Sequence, residues 1–102
     1  MAFYKFPHAK DPGETLSYAF DFEPLVGDVE VFEPSCTAVV PDGETDNTSE
    51  ITISNVVLDD KKVVCLVSGG VDGQKYWLDY GVKFGDKTEN FQRTCILVVK
   101  ER

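Results

Sequence analysis

The side chains with the strongest claim to chemistry in this 102-residue chain are one histidine, three cysteines and an acid-rich stretch. Nucleophilic catalysis needs a nucleophile, a base within hydrogen-bond reach and a group that orients the base. His8 lies ahead of the break at Asp11-Pro12-Gly13, so pairing it with a thiol would require the N-terminal region to fold inward. The run Asp42-Gly43-Glu44-Thr45-Asp46 spaces three carboxylates two apart, as calcium loops do. A twelve-residue loop starting at Asp42 needs glycine at its sixth position and glutamate at its twelfth. Asn47 and Ile53 stand there, which leaves a solvated acidic loop with room for a weak adventitious cation at most. Gly69-Gly70-Val71-Asp72-Gly73 precedes a strand and no Gly-Lys-Ser/Thr follows, so its glycines serve turn geometry and not a phosphate. The 18 acids form many pairs, none marked as buried and poised for glycoside chemistry. The expectation is a protein with no catalytic residue, no cofactor and no metal site.

Cys36, Cys65 and Cys95 cannot all pair within one chain, and their odd count favours reduced thiols acting as small core residues. Trp77 follows Cys65 by 12 residues and precedes Cys95 by 18, too tight for a tryptophan between two bridged cysteines of an immunoglobulin framework.

The elements that must position these residues are strands. Leu16, Tyr18, Phe20 and Phe22 alternate and share a face, closed by Pro24 and Gly27. Residues 28–32 and 35–40 read as two short strands kinked at Pro34, and residues 51–57 as the next, followed by a turn at Asp59-Asp60-Lys61. The near-continuous apolar run over 62–68 predicts a central strand. Tyr76, Leu78, Tyr80, Val82 and Phe84 then alternate with Trp77, Asp79, Gly81 and Lys83, a turn falls at Gly85-Asp86-Lys87, and Phe91, Arg93, Cys95, Leu97 and Val99 alternate along a last strand. About seven strands at this turn spacing predict an all-β, antiparallel β-sandwich over residues 11–102. Residues 1–10 form an aromatic arm with Phe3, Tyr4 and Phe6, which either adds an edge strand to its own domain or reaches a neighbour.

Out of phase with a buried Tyr76-Leu78-Tyr80 set, Trp77 projects from the outer face of its sheet, where it anchors a partner or sugar ring or is covered by the arm. With Cys95, Leu97 and Val99 inward, Ile96 and Val98 put apolar surface on the opposite side, either a contact patch or a second partly buried face. Phe3, Tyr4, Phe6, Trp77, Ile96 and Val98 are therefore the candidate protein-interface residues.

Charge narrows the partners. The net charge of −8 opposes nucleic acid and anionic membrane alike, and no apolar run approaches the ~20 residues that span a bilayer. The polar start Met1-Ala2-Phe3-Tyr4-Lys5 does not read as a signal peptide, which points to a protein made in a cytoplasm and carried out only within a larger particle. Residues 11–60 hold 13 acids and no lysine or arginine, whereas residues 61–102 hold 8 bases and 5 acids. Such segregation either favours head-to-tail assembly of identical copies or is blurred as the halves interleave.

The stretch Asp11-Pro12-Gly13-Glu14-Thr15-Leu16, the segment Val67-Ser68-Gly69-Gly70 with Gly73, Tyr76 and Leu78, and the last strand Arg93-Thr94-Cys95-Ile96-Leu97-Val98-Val99 together resemble a family of small tailed-bacteriophage proteins. These are fiber–tail adaptors or head–tail neck proteins, and the resemblance covers residues 11 to 100. Two departures stand out: Gly85-Asp86-Lys87-Thr88 replaces the family's Gly-Arg hairpin, and the acidic loop from Asp42 to Glu50 replaces a Ser/Thr-rich middle. The resemblance implies an immunoglobulin-like sandwich without catalytic residues. It implies a structural virion protein, assembled in the host bacterial cytoplasm, that sits at neck or tail in several copies and docks fibers or neighbouring tail subunits. The alternatives are a capsid decoration protein and a carbohydrate-binding sandwich built around Trp77.

Overall fold

The computed structural model describes residues 4–85 and 89–101. Among them the chain forms seven strands: β1 (Tyr4–Lys5), β2 (Leu16–Asp21), β3 (Val31–Val39), β4 (Ile51–Asp59), β5 (Lys62–Gly69), β6 (Lys75–Phe84) and β7 (Glu89–Val98). One sheet has the order β1-β7-β6-β3 and the other β2-β5-β4. The second to seventh strands take the B-E-D and G-F-C arrangement of an immunoglobulin-type sandwich, with the first strand laid beside the last. All pairings among them are antiparallel except β1 on β7, which is parallel. No helix is long and apolar enough to cross a membrane.

Period-two patterning gives each sheet one buried face, and the two faces meet in the core. Val63, Cys65 and Val67 of the central β5 pack against Tyr76, Leu78, Tyr80 and Val82 of β6 and Cys95 and Leu97 of β7, all essentially without solvent exposure. β5 is the middle strand of its sheet, which accounts for its near-continuous apolar run.

Two local expectations change. The pair of strands kinked at Pro34 is one strand, β3, with a bulge between Phe32 and Ser35 where Glu33 takes φ +50°. A proline costs no ladder bond on an edge strand, and the bulge absorbs the extra residue without ending the pairing. The segment after β2 is not a bare turn but a one-turn helix, α1 (Glu23–Val26), with Pro24 in its first turn and Gly27 beyond it at φ +59°. Proline fits there because the first helical N–H groups have no partner to lose. Phe22, expected in the strand, is fully buried at the helix start, its ring 4.7 Å from that of Phe20. The expected Gly85-Asp86-Lys87 turn lies mostly outside the described residues.

Candidate docking surface

Alternation along β6 fixes the outer face of the four-stranded sheet. With Tyr76, Leu78 and Tyr80 buried, Trp77, Asp79 and Lys83 turn outward. Register then sets their neighbours: Trp77 lies opposite Ile96 on β7 and Val39 on β3, Lys75 opposite Val98, and Asp79 between Thr94 and Thr37. Lys5 of β1 is in register with Ile96 at the far side. Val39, Trp77 and Ile96 thus form a continuous apolar row across three strands, with Val98 beside it, all half-buried. Cross-strand packing of this kind orders the face, and an aromatic with β-branched neighbours is a common anchor at protein interfaces. Asp79 sits half-buried next to this row, and burial pushes its carboxyl above the usual range.

Trp77, the middle member of the row, borders a cleft of about 650 Å³ beside the acidic loop, lined by Glu44, Asp46, Asn47, Glu50 and Lys75 among others. The cleft wall is fixed by hydrogen bonds. Asn47 Nδ2 donates to the Lys75 carbonyl at 2.9 Å, joining the loop to β6, while Asn47 Oδ1 is buried and accepts no hydrogen bond. Asp46 Oδ1 receives the Thr48 N–H and hydroxyl at 3.0 and 2.8 Å, and these bonds hold its carboxyl below the usual range. The Tyr76 hydroxyl donates to Glu50 Oε1 at 2.6 Å and accepts the Val71 N–H at 2.8 Å. Burial, together with Glu50, pushes the Tyr76 phenol up to about 12.

The six interface candidates fall into separate places. Trp77, Ile96 and Val98 share the outer face. Tyr4 and Phe6 turn the other way, into the seam between the sheets, where Tyr4 meets Phe20 and Phe6 meets Tyr18, each with ring centroids 4.8 Å apart. Tyr4 remains 59% exposed, so the seam is open to solvent on its side. Phe3 lies outside the described residues. The arm takes the edge-strand alternative, with Phe6 N–H bonded to the Ile96 carbonyl at 3.0 Å, and leaves Trp77 uncovered. Val39 and the meeting of Trp77 with the acidic loop were not legible in the sequence. Alternation forward from Cys36 gives Val39 its face, but its pairing with Trp77 depends on the bulge at Glu33.

Little else gathers reactive groups. His8 is exposed and lines a shallow groove with Phe6, Pro7, Leu16 and Tyr18. The three cysteines are reduced and buried, with Cys65 Sγ 3.6 Å from Cys36 Sγ and 3.4 Å from the Tyr80 hydroxyl. The hydrogen bond with Cys65, and then burial, pushes the Cys36 thiol up, and burial raises Cys95 to about 12. Among the described residues no three His, Cys, Asp or Glu side chains are grouped to hold a metal ion.

No curated protein and no solved structure matches the chain. Residues 10–98, which hold β2 to β7, match the model of a phage family described as the podophage GP4 fiber-tail adaptor protein gp77. An all-β sandwich whose matched segment carries both the sheet faces and the acidic loop is therefore a member of the podophage GP4 fiber-tail adaptor family.

Proposed function

We propose that this chain is a structural virion protein of a tailed phage that assembles in the host cytoplasm, sits at the neck or tail in several copies, and docks fibers or neighbouring tail subunits through the outer face of its four-stranded sheet. The carrying observation is the apolar row Val39–Trp77–Ile96, with Val98 beside it, on a member of an adaptor family. A row of this kind buries apolar area when a partner covers it, and its tryptophan supplies the large rigid contact typical of binding hot spots.

Particle incorporation tests the proposal. Chains carrying Ile96→Asp are expected to be missing from purified virions and to leave tails without fibers. Val57→Asp, at a residue 52% exposed on the opposite sheet, is expected to assemble normally. Equal incorporation of both variants, with melting temperatures matched, would remove the outer face from the reading. Light scattering of the purified chain is expected to show several copies per particle. A strict monomer that binds sugar through Trp77 would favour a carbohydrate-binding module, and variants lost from heads alone would favour capsid decoration.

A further inference from the structure

We propose that Cys36 and Cys65 are a latent bridge between the two sheets, free thiols in the newly folded chain that hydrogen peroxide joins into a disulfide locking the sandwich. The chemistry goes beyond the docking reading above. Only the moment of closure rests on that reading, as the step when a particle leaves the reducing host cytoplasm.

The two thiols come from opposite sheets. Cys36 lies on β3, an edge strand of the four-stranded sheet, and Cys65 on β5, the middle strand of the other. They are 29 positions apart in the chain, yet their Sγ atoms meet at 3.6 Å in the core. Closing that gap to the ~2.05 Å of a disulfide takes a movement of about 1.5 Å. The backbone has slack for it, since β3 bulges between Phe32 and Ser35, immediately ahead of Cys36. Cys95 is no rival for Cys36, because β6 runs between β7 and β3. Two strand spacings, roughly 9.5 Å, exceed the Cα separation that a disulfide spans.

The surroundings divide the roles. Cys65 Sγ also lies 3.4 Å from the hydroxyl of the fully buried Tyr80. The hydrogen bond with Cys36 brings the Cys65 thiol down to about 7, against the opposing effect of burial and with help from Tyr80, whereas the same contact pushes Cys36 up. The thiolate is the reactive form, so Cys65 attacks first. Its sulfur bonds to one oxygen of the peroxide as the O–O bond breaks, giving a sulfenic acid, and the other oxygen leaves as water with the thiol proton. The Cys36 sulfur then displaces the sulfenic hydroxyl, the S–S bond forms, and the Cys36 proton leaves on that hydroxyl as a second water. The thiol pair loses two electrons, and one peroxide is reduced to two waters. Peroxide is little larger than water and reaches the core through local openings of the fold.

The test is to treat the reduced, folded, full-length chain with hydrogen peroxide, alkylate the remaining thiols in denaturant, and read intact mass and peptide map. The expected product is a single chain lighter by two hydrogens, with Cys36 and Cys65 in one cross-linked peptide and Cys95 alkylated. Bridging should raise the unfolding midpoint by roughly 10 °C or more, because it closes a long loop in the unfolded chain, and dithiothreitol should reverse the rise. Cys95→Ala should keep both the bridge and the shift, and Cys36→Ala should lose both. If Cys36→Ala does not fold, the peptide map of the natural chain decides alone. A bridge to Cys95, a bridge between two chains, or sulfinic acid in place of any bridge would overturn the proposal, as would a bridged chain whose midpoint is no higher. If the thiols stay unbridged while Ile96→Asp still blocks incorporation into particles, the lock falls and the docking face stands. If the bridge forms while Ile96→Asp chains enter particles normally, the docking reading falls and the lock stands.

Discussion

The two ends of the sandwich are closed in different ways. At the end that holds the cleft, polar groups are tied to one another. Lys10 is fully buried, its Nζ donating to the carbonyls of Gly69 at 2.6 Å and Asp11 at 2.9 Å. Tyr76 bridges Val71 and Glu50, and Asn47 joins the loop to β6. At the opposite end the closure is apolar. Phe22 and Val26 of the α1 segment are buried, and Phe84 stacks on Phe91 with centroids 4.8 Å apart. Hydrogen-bonded closure gives direction and fixed positions, whereas apolar closure gives bulk stability without defining where a polar partner would bind.

The largest effect separating the ends is expected from Phe22→Ala. It empties a fully buried aromatic site in the apolar plug and should cost about 3–5 kcal/mol in denaturant unfolding. The polar end is remote from that site, so the fluorescence of Trp77 in the folded fraction should be unchanged. A change in both together would mean that the two ends form one cooperative unit, and the comparison would break.

Gly70→Ala probes the polar end by shape. Gly70 has φ +100°, and a Cβ there would sit 2.7 Å from Cγ2 and 3.1 Å from Cγ1 of Val99. Backbone strain and the clash should together cost about 2–3 kcal/mol, read as a lowered unfolding midpoint. A neutral result would show that the chain past β7 can shift, and that this end is held less firmly than its hydrogen bonds suggest.

The polar end should also respond to pH. Tyr76 is favoured in its protonated form when folded, with its phenol raised from 10 to about 12. Its contribution is therefore complete below pH 10 and lost as the pH climbs toward 12, because the unfolded chain ionises first. The stability of the natural chain relative to Tyr76→Phe should fall by roughly 2 kcal/mol across that window. Buried Lys10 works in the opposite sense. Desolvation lowers its pKa, so its burial becomes less costly as the pH rises toward the ordinary lysine value. A flat difference between the natural chain and Tyr76→Phe would mean that Tyr76 is solvated and the Glu50 bridge is not formed in solution.

How much of this was legible in the residues depends on what each feature rests on. Period-two alternation placed Tyr76, Leu78, Tyr80, Cys95 and Leu97 in the core, and therefore Trp77, Ile96 and Val98 outside, because side-chain direction follows from chain geometry alone. The central position of β5 followed from its unbroken apolar run. The bulge at Glu33 was hidden because Pro34 signals a break equally well whether the strand ends or continues on a sheet edge. Phe22 looked like the last residue of a strand because its spacing fits, although Pro24 already allows a helical first turn. Lys10 gave no sign of burial, since a lysine is buried only where carbonyls happen to converge on it, and those come from Asp11 and Gly69. The cleft depends on Asn47 meeting Lys75, residues 28 apart, and contacts at that range follow from topology and not from pattern.

The smallest effect is expected at an ion pair beside the apolar end. Lys83 Nζ lies 3.7 Å from Glu33 Oε2, with both side chains about half exposed. Water and salt screen such a pair, and holding two long side chains together costs conformational entropy. Lys83→Ala should therefore change stability by no more than about 0.5 kcal/mol, with no dependence on salt beyond that of the natural chain. Glu33 has a second role that Lys83 lacks, because it occupies the bulge at φ +50°. Glu33→Gly should relieve that left-handed strain and offset the lost pair, leaving stability unchanged or slightly higher. If Lys83→Ala instead cost as much as Gly70→Ala, the ion pair would be a structural tie, and the contrast between a polar end built for position and an apolar end built for bulk would not hold.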